Sequence, residues 1–138
     1  MVNNGSDFLR LVPHSLAPNP LPLFRKLPGP RYDLQKIQQH IGDVDDIRLI
    51  TQKCNDDVLD LSWTLQNVLE LLHAATSGDF RDSEWCATGN GYSVDCDSYA
   101  LNFDDVSGTR LAAAPKIFFK FGFRPNYLFL LVVSCHPS

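Results

Sequence analysis

The sequence contains no apolar run long enough to cross a bilayer. The longest, Tyr127 to Val133, falls far short of the ~20 residues a spanning helix needs. Its first residues lack a cationic start followed by an apolar stretch, so no secretory leader is expected. Cys54, Cys86, Cys96 and Cys135 include no C-x-x-C pair, and His136, directly after Cys135, cannot easily share a metal ion with it. No metal site is expected; reduced thiols in a cytoplasmic protein are, with Cys96 and Cys135 as a pair that a sheet could bring together. Also missing are G-x-x-x-x-G-K-S/T, G-x-G-x-x-G and G-x-S-x-G, which argues against nucleotide hydrolases and serine hydrolases.

What is present suits one domain. The 138 residues are 44% hydrophobic and 20% charged, enough apolar material to offset the entropy of ordering a single core. The net charge of −4 gives no global attraction to nucleic acid, so polyanion binding would need a local patch. The charge is uneven: residues 1–31 carry four bases against one acid, 32–78 three against eight, and 79–138 five against seven. In the last segment Lys116, Lys120 and Arg124 cluster, which allows a positive face on an acidic chain.

Six of the nine prolines lie between Pro13 and Pro30, where neither a helix nor a central strand can run. Residues 1–31 therefore read as a proline-rich, largely flexible arm and 32–138 as a single domain. Asp33 is a helix cap ahead of Leu34, Ile37 and Ile41, with Gly42 as a stop, predicting a helix over 33–41. Ile47 to Thr51 reads as a short strand, and Asn55 with Asp56 and Asp57 as the start of a short helix. Thr64 precedes the stripe Leu65, Val68, Leu69 and Leu72, predicting a helix over 64–75. His73 at its end suits the negative helix terminus.

Beyond Gly78 the period changes to two. Asp79 to Glu84 reads as a turn, either salt-bridged or presenting Arg81 to a phosphate, and 86–94 as a loop or hairpin-like excursion. Strands are predicted over 98–103, 116–123 and 126–135. Asp95 and Asp97 are either an acid/base pair or charges that keep an edge strand soluble. Helices first and sheet last make an α+β fold, with amphipathic helices packed on one face of a small antiparallel sheet of three or four strands. On strand 116–123, Lys116, Phe118, Lys120 and Gly122 share one side and Ile117, Phe119, Phe121 and Phe123 the other. Lysines beside an aromatic suit an RNA surface; a solvated face with Lys stems over apolar surface is the alternative. His136, near the end of the last strand, is either a general acid or base or simply solvated.

Tyr32-Asp33-Leu34, Thr51-Gln52-Lys53-Cys54, Val68-Leu69-Glu70-Leu71-Leu72, Asp79-Phe80-Arg81, Asp97-Ser98-Tyr99, Phe118-Phe119-Lys120-Phe121 and Leu131-Val132-Val133-Ser134-Cys135-His136 together resemble the MqsR, or motility quorum-sensing regulator, family of type II toxins. The similarity spans roughly 32–138 and leaves out the arm. It implies a RelE-like cytoplasmic ribonuclease that cuts messenger RNA without the ribosome, needs no cofactor, and is silenced by a cognate antitoxin of the MqsA kind. The resemblance puts Lys120 on the family's strand lysine, Tyr99 on the tyrosine of its Asp-x-Tyr motif, and His136 where the family has a basic residue. Two positions depart from the pattern: Asp82 stands where lysine is common, with Arg81 beside it, and Phe118 where tyrosine is common. The expected roles are His136 as general acid or base, Lys120 and Arg81 as phosphate ligands, and Tyr99 as a positioning group. The rival class is a protein-binding module of the same fold, weak or inactive in catalysis.

Overall fold

The computed structural model describes residues 5–88 and 93–138. Of the three α-helices among the described residues, two begin on a cap side chain that accepts a first-turn N–H, and the third on a cap residue whose own N–H is taken by a side chain of the first turn. The Asp33 carboxylate accepts the Lys36 N–H ahead of α1 (Leu34–His40), whose Leu34 and Ile37 turn inward. Helix α2 (Gln52–Asp60) starts one turn before the expected Asn55, because Thr51 takes the Cys54 N–H at 3.0 Å. Asn55 instead donates from its side chain to the Leu49 and Thr51 carbonyls. Helix α3 (Leu65–Ala74) opens on Thr64, whose N–H donates to the Asn67 side chain at 2.9 Å.

The strands are β1 (Lys26–Leu27), β2 (Ile47–Leu49), β3 (Phe80–Ala87), β4 (Ser93–Asp104), β5 (Thr109–Arg110), β6 (Lys116–Gly122) and β7 (Leu130–Pro137). They form one sheet in the order β1-β3-β4-β6-β7-β2, with β5 attached to β4. Pairing is antiparallel except between β2 and β7. The architecture is α+β as expected, but among the described residues the sheet has seven strands rather than three or four. The 79–84 stretch is mainly strand, not turn: β3 begins at Phe80 and a bulge between Phe80 and Asp82 breaks its alternation. The outer parts of the expected 86–94 loop belong to β3 and β4; residues 89–92 lie outside the described residues.

All three helices cover one face. Ile37 of α1, Cys54 and Val58 of α2, and Val68, Leu71 and Leu72 of α3 join Ile117, Phe119 and Phe121 of β6 in a single core. Burying such side chains contributes about 1.5–3 kcal/mol each, which fixes which face of β6 points inward. Parts of the 1–31 stretch are fastened to this body. Leu9 is fully buried in that core, Arg10 bridges to Tyr32, and Lys26–Leu27 forms the sheet edge beside β3. The arm lacks a hydrophobic period, but single residues fasten it; Leu16, Leu23 and Phe24 between them stay exposed.

Candidate functional site

The face without helices is built on the antiparallel register. Asp82, Ser98, Lys120 and Ser134 are partners in a row across β3, β4, β6 and β7, and the next row pairs Ala100, Phe118 and His136. As expected, Lys116, Phe118 and Lys120 share this face. His136 and Lys120 are diagonal neighbours on adjacent strands, with Phe118 beside both. The Phe118 ring stacks on the His136 imidazole at 5.2 Å between centroids, and Lys120 Nζ lies 5.7 Å from the same ring.

His136 Nδ1 lies 2.9 Å from the Pro137 carbonyl oxygen, which can only accept, so Nδ1 donates there and Nε2 is the ring nitrogen left for other partners. Lys120 is ion-paired with Glu84 and largely buried. Burial pulls its pKa down, but the Glu84 hydrogen bond and neighbouring negative groups outweigh that and raise it, so the ammonium is firmly charged. Lys26 pairs with Asp82 and lies 3.8 Å from Glu84. Burial pushes the Asp82 carboxyl up, yet the Lys26 and Ser98 hydrogen bonds hold it below the usual range. Gly122 allows close packing here, since a Cβ would stand 2.7 Å from the Asp95 carbonyl oxygen.

Two of the expected site residues do not join this group. Arg81 occupies the β3 bulge and is exposed, with no side-chain partner among the described residues. Tyr99 pairs with Phe119, stacks on Phe119 and Phe121, and lies on the helix-covered face. It cannot position a substrate held by His136 and Lys120, because the sheet separates them. Sequence reading missed Ser134 and the Glu84 clamp, although the two-residue period from His136 back to Ser134 was available.

Asp95 and Asp97 also face the covered side, on a central strand, so the edge-strand expectation fails. Both are fully buried. Asp95 is ion-paired with Arg10 and with Arg31 at 2.9 Å; burial pushes its carboxyl up, but the two guanidinium groups hold it below the ordinary range. Asp97 accepts from the Arg31 and Tyr32 N–H groups and from the Ser83 hydroxyl at 2.6 Å; burial wins there and its pKa is raised. These carboxylates bind the arm to the sheet and are saturated with partners.

The cysteines follow the same two-sided division. Cys135 lies in the main core and Cys96 in a separate small cluster with Cys86, Val94 and Val133, so the pairing of Cys96 with Cys135 does not occur. Cys86 and Cys96 are neighbours instead; the Cys96 hydrogen bond lowers the Cys86 pKa against burial, while burial raises Cys96 well above its usual range. All four are free thiols. Among the described residues no group of His, Cys, Asp and Glu could hold a metal ion. His73 Nε2 meets the Ile41 carbonyl at 2.6 Å, tying α3 to the end of α1 rather than capping its own helix. No helix among the described residues is long and apolar enough to cross a membrane. Compared with protein families, curated proteins and solved structures, the chain finds no match.

Proposed function

We propose that the chain is a toxin-like endoribonuclease of the MqsR kind, with a RelE-like use of its sheet, acting on messenger RNA in the cytoplasm and restrained by an antitoxin protein. The observation that supports this reading best is the trio His136, Phe118 and Lys120 on one open face. Phe118 offers a ring on which an unpaired base can stack. Lys120 supplies a fixed positive charge for the scissile phosphate, and the His136 Nε2 lone pair can take the proton of the adjacent 2′-hydroxyl.

In that reaction the 2′-oxygen bonds to phosphorus, the bond from phosphorus to the 5′-oxygen breaks, and the hydroxyl proton passes to His136. The leaving 5′-oxygen takes a proton from solvent, giving a 2′,3′-cyclic phosphate and a free 5′-hydroxyl. Exposed Arg81 is assigned a phosphate contact outside the reacting centre. Tyr99 has no role in this scheme. A second reading, a protein-binding module, is favoured by one observation: Asp82 and Glu84 already pair with Lys26 and Lys120, which weakens the field an RNA phosphate would meet. Incubating the purified protein and the His136→Ala variant with structured messenger RNA in EDTA separates the two. Cyclic-phosphate ends produced by the first and lost in the folded variant support the nuclease; intact RNA with both supports the binding module.

A further inference from the structure

Two of the four thiols lie together and apart from the main core. Cys96 on β4 is the partner of Glu84, and Cys86 follows Glu84 by two residues on β3, so both stand on the open face as diagonal neighbours. They share a small apolar cluster with Val94 and Val133, against which Ile50 packs. Cys86 is 8% exposed, whereas Cys54, Cys96 and Cys135 are 0% exposed. A water-sized reagent therefore meets Cys86 first, with Cys96 beside it.

The surroundings set the two sulfurs apart. Cys96 donates a hydrogen bond to Cys86, and the Lys120 ammonium and Arg25 guanidinium add positive charge, so the Cys86 pKa is lowered despite burial and the Glu84 carboxylate. Burial, and the same bond seen from its donor, raise that of Cys96. Cys96 Sγ is otherwise 3.9 Å from the Val94 carbonyl oxygen, a long contact even for sulfur. A thiolate-prone sulfur beside a second thiol that keeps its proton suits oxidation followed by resolution. We propose that Cys86 and Cys96 form a site of oxidation by hydroperoxides, Cys86 taking the oxygen and Cys96 resolving it as a disulfide. The Cys86 sulfur attacks one peroxide oxygen and the O–O bond breaks. The second oxygen leaves as an alcohol, or as water from hydrogen peroxide, with the proton that Cys86 gives up. The Cys96 sulfur then attacks the sulfenic sulfur, the S–O bond breaks, and the oxygen leaves as water with the Cys96 proton. The two thiols lose two electrons and the peroxide gains them. Diagonal Cα atoms lie about 7–8 Å apart and a disulfide spans up to about 6.8 Å, so closure draws in the end of β3, where Cys86 is the last residue but one.

The reaction needs no RNA, so it stands or falls apart from the nuclease reading. Cys54 and Cys135, each pushed up to about 12 by burial, are internal controls. The test treats the folded full chain with equimolar hydrogen peroxide near neutral pH, blocks the remaining thiols with N-ethylmaleimide in denaturant, and weighs the tryptic peptides. A single peptide, 82–110, carries both Cys86 and Cys96. It is expected to lose both blockable thiols and two hydrogens at least about tenfold faster than Cys54 or Cys135 is oxidised, and to regain both thiols on reduction with dithiothreitol. Survival of its thiols, loss of all four cysteines at one rate, or added oxygen without a disulfide each overturns the proposal, and none of these readings depends on a variant that folds. In Cys96→Ser, Cys86 is expected to stop at the sulfenic acid and be trapped by dimedone; a folded variant that yields no adduct overturns the assignment of Cys86 as the oxidised sulfur.

Discussion

On the helix-covered face Asp95 and Asp97 are sealed among Arg10, Arg31, Tyr32 and Ser83, whereas on the open face Asp82 and Glu84 keep 39% and 21% of their side-chain surface and pair with lysines. The residue types are the same; the consequences differ. Inside, every partner belongs to the chain, and removing one strands another in a medium that cannot solvate it. Outside, water and salt compete with the Lys26–Asp82 pair, while Lys120 and Glu84 keep 15% and 21% of their side-chain surface. Charge on the first face fastens the arm, and charge on the second keeps part of its surface in water.

The sharpest way to break this contrast is Asp95→Ala. It leaves two buried guanidinium groups without their acid and is expected to cost about 3–5 kcal/mol in denaturant unfolding; a loss below about 1 kcal/mol would put the network on a par with surface pairs. On the open face, Lys120→Ala should lower single-turnover RNA cleavage about 10²–10³-fold at a smaller stability cost than Asp95→Ala, because Glu84 keeps about a fifth of its side-chain surface in water. A protein that instead loses its fold would make Lys120 structural.

Acid titration sharpens the comparison within the covered face. The folded pKa of Asp95 is lowered, so the stability it contributes is present above the unfolded value of ~3.9 and lost as pH falls through the folded value. Asp97 runs the other way: its raised folded value means stability is gained as pH falls from that value toward ~3.9. Urea midpoints measured across acid pH should therefore show Asp97→Asn losing the second dependence and keeping the first, and an unchanged profile would remove Asp97 from the account. The smallest expected effect is Glu84→Gln, which releases Lys120: RNA affinity by filter binding should rise about threefold, with a steeper fall on adding salt.

Local signals were legible where a short stretch decides the outcome. Asp33 and Thr64 start helices because a cap needs only the next three residues, and the alternation of Lys116 to Phe123 sorted β6 correctly between core and open face. Strand β3 was hidden because its charges resemble a turn until Lys26 and Lys120, from distant segments, are seen to pair with them, and its bulge interrupts the period. The arm was illegible for a related reason: Leu9, Arg10 and Arg31 act singly, each through a contact with no local counterpart. His136 with Lys120 could be grouped from strand pairing alone. Tyr99 could not, because a short motif says nothing of which face its tyrosine takes, and the burial of Asp95, from which that face follows in twos, rests on the distant Arg10 and Arg31.

Strand β2 makes one further difference to how the chain comes into being. Its partner is about eighty residues downstream, Ile47 lying opposite Leu130, and the arm residue Ser6 likewise hydrogen-bonds to Arg124 and Pro125. A ribosome must therefore release most of this sequence before the early helices gain the sheet they cover, and closing such long loops makes folding slow compared with a helical bundle of similar size. His136 and Lys120 come together only at that late stage, so the nascent chain passes through synthesis without the open face it will later display.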